Sequence, residues 1–180
     1  AGDFFGKRVA KYKNKIIVGA DHNDSQGTDA GAAYIYQGES YTWVQKAKLT
    51  ASDGADGDYF SHFGVSIFKG YALVGAPYDD DLGDQSGSVY AFQDSNGTWL
   101  AKSKKVASNG ADNQYYGYVV SISADFAFSG AIHASVDGLA SAGAVYVYDP
   151  VEDLGLNAEP QIVDLPDTIT MNINDVSKLK

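Results

Sequence analysis

The chain has 180 residues and no cysteine, and its 13 Lys+Arg against 23 Asp+Glu give a formal net charge of −10. Without thiols, disulfides, thiolate metal sites and thiol catalysis are excluded; the acidity excludes a partner held by nucleic-acid phosphates, which needs a basic face, and opposes anionic membrane surfaces. No apolar run approaches the roughly 18 residues of a membrane-spanning helix, whereas 13 Tyr, 8 Phe and 20 Gly suit pleated sheet joined by tight turns.

Taken in chain order, period-2 alternation predicts strands over 5–12, 15–20, 30–37 and 42–50, with a turn at Lys13-Asn14 and a polar loop at 21–30. A second group follows at 63–68, 71–76, 87–92 and 98–106, its last two strands joined through Asn96-Gly97, a hairpin signal. A third group covers 117–123, 125–131 and 143–149. Residues 150–160 read as a linker, 161–166 as a fourth strand for the third group, and 168–173 as the opening of a further module. Ala1 enters patterned sequence directly, without Met or a leader, which reads as a mature or excised piece.

The groups are copies of one unit. Gly-Ala recurs at 19, 75 and 130, and a Gly-x-x-Tyr segment at Gly31–Tyr34, Gly87–Tyr90 and Gly143–Tyr146. Trp43 pairs with Trp99, and an aromatic pair recurs as Phe4-Phe5, Tyr59-Phe60 and Tyr115-Tyr116. The offsets cluster at 55 or 56 residues. Four antiparallel strands per repeat is the unit of a β-propeller, in which each sheet buries its faces on its neighbours. The expected fold is therefore all-β: an incomplete propeller of three blades at about 1–54, 55–110 and 111–149, with a tail at 150–180. Three blades do not close a ring. The partners expected on that ground are the remaining blades of a parent chain or further copies of this one.

The stretch YALVGAPYDDDLGDQSGSVYAF (71–92), preceded by GDYFSHFG (57–64), resembles the FG-GAP repeat, as do residues 1–149 as a whole. Units one and three depart from it, with Gly-Ala-Asp at 19–21 and Gly-Ala-Ile at 130–132 in place of Gly-Ala-Pro. The resemblance implies the fold of integrin α heads and secreted bacterial propellers, typically seven-bladed and extracellular or at the cell surface. It also implies ligand binding on the rim formed by the strand 2–3 loops and the loops entering strand one. That rim would carry His22, Tyr78 and His133 at corresponding positions. The calcium loops of integrin-type relatives lie between strands one and two, and the turns here lack their motif.

A different acidic loop stands out. Asp79, Asp81 and Asp84, between strands two and three, offer the oxygens a hard cation such as Ca²⁺ requires. Asp21, Asp24 and Asp29 form the weaker counterpart in unit one. The alternative reading is a solvated turn whose charges keep the rim soluble; removing the Asp79, Asp81 and Asp84 charges is expected to leave folding nearly unchanged while abolishing any Ca²⁺ effect. The strand tyrosines and Trp43/Trp99 read as packing between blades, with sugar stacking as the alternative. No catalytic residues are identified: the chain has no nucleophile elbow, phosphate loop or dinucleotide fingerprint. The expected function is a non-enzymatic extracellular adhesion or recognition scaffold for a protein or glycan. The alternatives are an accessory carbohydrate-binding propeller of a secreted enzyme, or a hydrolase or lyase whose site needs further blades.

Overall fold

Every expected group of strands forms, with some strands shorter than their alternating pattern. The structure, a computed structural model, describes residues 2–123 and 125–149 together with the backbone of 161–163. Among the described residues no helix is long and apolar enough to cross a membrane. Three four-stranded antiparallel sheets are present, each with its strands in chain order. The first holds β1 (Val9–Tyr12), β2 (Lys15–Ala20), β3 (Ala32–Glu39) and β4 (Thr42–Leu49). The second holds β5 (Val65–Phe68), β6 (Tyr71–Ala76), β7 (Ser88–Ser95) and β8 (Thr98–Val106). The third holds β9 (Tyr116–Ile122), β10 (Ala127–Ala131), β11 (Ala144–Tyr148) and β12 (Gln161–Val163), the last pairing with β11. These are the blades of an incomplete propeller. The linker expected over 150–160 and the module expected near 168–173 lie outside the described residues.

The turns are written locally. Asn96 and Gly97 both adopt positive φ, 54° and 88°, as a two-residue hairpin turn requires, and the Gly97 amide donates to the Asp94 carboxylate at 2.7 Å. β3–β4 and β7–β8 each carry a register shift, between Ile35 and Tyr36 and between Ala91 and Phe92. The bulge therefore repeats with the sequence. The first strand is shorter than expected, beginning at Val9 rather than residue 5. Residues 4–7 form a turn instead, in which the Lys7 amide donates to the Phe4 carbonyl at 3.1 Å and Phe4 holds φ at 51°.

The core lies between blades. Ile17, Ala33, Ile35 and Leu49 of the first blade pack on Phe60, Ala72, Val74, Tyr90 and Phe92 of the second. Leu73, Val89 and Ala91, on the second blade's other face, pack with Tyr116, Ala127, Tyr146 and Tyr148 of the third. Strand alternation sends successive side chains to opposite neighbours, so one strand serves two interfaces. Hydrogen bonds repeat across both. The Tyr90 hydroxyl donates to Asp53 Oδ1 at 2.8 Å, and the Tyr146 hydroxyl to Asn109 Oδ1 at 2.5 Å, 56 positions later.

Candidate functional site

Each aromatic pair is divided by its turn. The second ring, Phe60 or Tyr116, is fully buried between blades. The first residue, Phe4, Tyr59 or Tyr115, takes φ of 51°, 49° or 55°. A bulky L residue occupies that region at a cost of about 1–2 kcal/mol, and this chain does so three times at one position. The result is that the two adjacent rings point to different places, one onto a blade face, where Phe60 and Tyr116 are buried and Phe5 is exposed, and one onto the rim.

The rim rings interleave with those of the strand 2–3 loops. Phe4 meets His22 at 4.4 Å between centroids, His22 meets Tyr59 at 5.1 Å, and Tyr59 meets Tyr78 at 5.3 Å. Tyr78 then meets Tyr115 at 5.5 Å, and Tyr115 meets His133 at 5.2 Å. The approach is edge to face at every step, the favoured geometry for paired rings. His22, Tyr78 and His133 thus stand on one continuous arc spanning all three blades. Phe4, Tyr59 and Tyr115 complete it; sequence reading missed their role, although the recurrence of the aromatic pair was their signal. Phe4 and His133 are exposed and the four rings between them half-buried.

A charge group lies beneath the first half of the arc. Asp21 is fully buried, and its Oδ2 accepts from Lys7 Nζ at 2.6 Å and pairs with His62 Nδ1. Lys7 Nζ also lies 3.0 Å from His62 Nδ1, and His22 Nδ1 stands 3.2 Å from Asp21 Oδ1. Burial raises the Asp21 pKa, but Lys7, His22 and His62 together outweigh it and hold the carboxyl below its ordinary value. Burial lowers the His62 pKa, and Lys7 adds to that against the opposing pull of Asp21. His62 touches Tyr59 and Tyr78 of the arc at 5.4 Å each. The group is made from the chain's departures from its own repeat. Asp21 replaces the proline of Gly-Ala-Pro. His62 belongs to a segment one residue longer than in the first unit, Ser61 to Gly64 spanning what Gly6 to Arg8 spans there.

The acidic loop divides. Asp79 and Asp81 come together with Asp53, close enough to hold one cation, and Asp84 does not join them. The Lys104 ammonium lies among the three carboxylates, 2.7 Å from Asp53, 2.9 Å from Asp79 and 2.6 Å from Asp81. Asp79 is buried and also accepts from the Ser88 hydroxyl at 2.8 Å and the Tyr90 hydroxyl at 3.0 Å. The solvated-turn reading therefore suits Asp84, which is exposed, but not Asp79. Burial acts against the Lys104 charge, yet the three carboxylates outweigh it and raise its pKa. Asp58, buried nearby, is pushed up to about 6 by burial and by the charge of Asp79, against one amide donor from Ala55.

In the first blade the same place holds Asn23 and Lys48, with Lys48 Nζ 2.8 Å from Asn23 Oδ1 and 2.7 Å from Ser25 Oγ. Asp21, Asp24 and Asp29 are not gathered there. Asp21 faces Lys7, and Asp24 accepts the Asp29 amide at 2.9 Å, closing the loop as Asp80 does with the Gln85 amide at 2.7 Å. The 56-residue spacing of Lys48 and Lys104 was the available signal for the lysine.

A family profile described as the FG-GAP repeat matches residues 1–36, 43–92 and 99–148. No curated protein matches the chain. The second and third matches begin on β4 and β8, so each spans the last strand of one blade and three strands of the next. Repeats of this kind are typical of extracellular or surface proteins and suggest a recognition domain. The matches cover most of the chain and recur three times, once per blade, each offset from the blade boundary by one strand: this chain belongs to the FG-GAP repeat family.

Proposed function

We propose that the chain is a non-enzymatic extracellular recognition module that binds a protein or glycan ligand across its aromatic rim. The observation that carries this reading is the unbroken arc from Phe4 to His133, held by three residues in a costly backbone conformation. Such strain persists where the surrounding structure imposes it, and it concentrates at binding sites. The half-buried rings offer hydroxyls, imidazoles and π faces on a rigid scaffold, the usual setting for binding loops. The net charge of −10 favours neutral or basic ligands over acidic ones. The Asp21–His62 pair does not favour the enzyme reading, because Lys7 engages both partners of the pair.

The test uses an array of neutral and acidic oligosaccharides and a displayed random-peptide library, with a Tyr59→Ala/Tyr78→Ala/Tyr115→Ala variant as comparison. Saturable binding to a neutral or basic probe that weakens at least tenfold in the variant supports the reading. No binding in either panel, or binding the variant keeps, overturns it.

A further inference from the structure

The two outer faces of the blade array are complementary halves of an interface that already exists twice inside it. At each internal interface the backbone of Phe60 or Tyr116 lies against Gly31 or Gly87. A Cβ on either glycine would stand 2.6 Å from that residue's nitrogen and nearer still to its carbonyl oxygen. Three amides of the incoming turn donate to three carbonyls of the preceding loop. Gly57, Tyr59 and Phe60 donate to Thr28, Asp29 and Ala30 at 2.9, 3.1 and 2.9 Å. Asn113, Tyr115 and Tyr116 donate to Asp84, Gln85 and Ser86 at 2.6, 3.1 and 2.9 Å.

The first blade presents the donor half. Phe5 packs on Tyr34 and Tyr36 at 5.5 and 6.0 Å, as Phe60 packs on Tyr90 and Phe92 at 5.4 and 6.1 Å. Phe60 is fully buried, whereas Phe5 is 56% exposed. The third blade presents the acceptor half. Ser141 has φ 53°, matching the 55° of Asp29 and Gln85, and Gly143 has φ 81°, matching the 87° of Gly31 and Gly87. At Gly143 a Cβ would meet nothing nearer than 3.4 Å. Phe128 is 37% exposed where its counterparts Ile17 and Leu73 are 0% and 4%. Among the described residues, the amides of Gly2, Phe4 and Phe5 donate to no backbone carbonyl. The carbonyls of Ala140, Ser141 and Ala142 likewise accept from no backbone amide.

We propose that a second copy of this chain covers both faces, Phe5 of each copy docking at Gly143 of the other. A copy of this chain carries both halves in the required register. Two three-blade arcs bring six blades, within the four to eight of closed propellers. A head-to-tail contact that closes on itself stops at a ring instead of growing into a filament.

Native mass spectrometry and sedimentation of the full chain at roughly 10–50 µM test this. The expected particle has twice the 19.1 kDa chain mass. Phe5→Asp and Phe128→Asp, on opposite faces, each weaken the dimer at least tenfold, while Tyr41→Asp at an exposed hairpin tip leaves it intact. Mixing the two face variants restores a dimer, because one undamaged interface then forms between them. Circular dichroism checks that each variant is folded, and either face variant alone suffices should the other unfold. A wild type that stays monomeric overturns the proposal, as does a dimer that folded face variants leave undiminished.

Discussion

Lys104 Nζ lies 2.9 Å from Asp79 Oδ2, and the carboxylate it meets is buried, with only 5% of its side chain accessible. The lysine comes from β8 and the aspartate from the β6–β7 loop, while Asp53, the third member with Asp81, comes from the segment that joins the first two blades. One ammonium therefore ties a loop, a strand and a blade junction together. Removing one partner of a buried pair leaves an uncompensated charge, which costs more than the pair itself contributes.

Lys104→Met is accordingly expected to destabilise the fold by about 2–4 kcal/mol, read as a lowered urea midpoint. Calcium is expected to raise the melting temperature of the variant more than that of the wild type, because the ammonium no longer competes for Asp53, Asp79 and Asp81. Equal calcium responses in the two proteins would show that the loop binds no cation in the place Lys104 occupies.

Asp58 behaves in the opposite sense to a paired carboxylate. Its folded pKa is raised to about 6 from an ordinary 3.8. The folded state thus holds this proton more tightly, and its stabilising effect is full below pH 3.8 and lost as pH rises through about 6. Asp58→Asn is expected to raise stability at pH 7, by up to about 2–3 kcal/mol, with the gain vanishing towards pH 4. Denaturation midpoints of both proteins across that range check it, and a pH-independent difference would contradict it.

The Asp21–His62 pair predicts a titration. Asp21 supports the protonated form of His62, while burial and Lys7 oppose it. Asp21→Asn should therefore move the His62 pKa further down from its already lowered value, measurable by proton NMR of the ring. Acid weakens this corner in the wild type. Both folded pKa values lie below their unfolded ones, so stability falls as pH drops through 6.5 for His62 and again below 3.8 for Asp21. A His62 pKa that rises in the variant would remove Asp21 as its partner.

Gly87 and Gly143 occupy equivalent positions with unequal surroundings. Gly87→Ala sets a Cβ against the Tyr116 backbone, whereas Gly143→Ala meets nothing nearer than 3.4 Å. The first is expected to cost more than about 3 kcal/mol, and the second about 1 kcal/mol, from positive φ alone. Urea denaturation at a concentration low enough to keep the chain monomeric isolates the difference. Equal losses would mean that the blade interface tolerates the added carbon.

The sequence by itself determined the repeat, the strand order and the family, because these rest on local signals. Period-2 alternation, the Asn96-Gly97 turn and landmarks 55 or 56 residues apart need no knowledge of neighbours. It also placed His22, Tyr78 and His133 at equivalent points by counting from each Gly-Ala. Only the tertiary structure decided what those points meet. The positive φ of Phe4, Tyr59 and Tyr115 turns adjacent rings apart, a backbone choice no composition reveals, and so the first ring of each pair joins the rim expected of the loops entering strand one. Asp21 with His62, and Lys104 with Asp53, are 41 and 51 residues apart in the chain. Their partnership follows from blades stacking face to face, which sets Asp21 against the turn before β5 and Asp53 against β8.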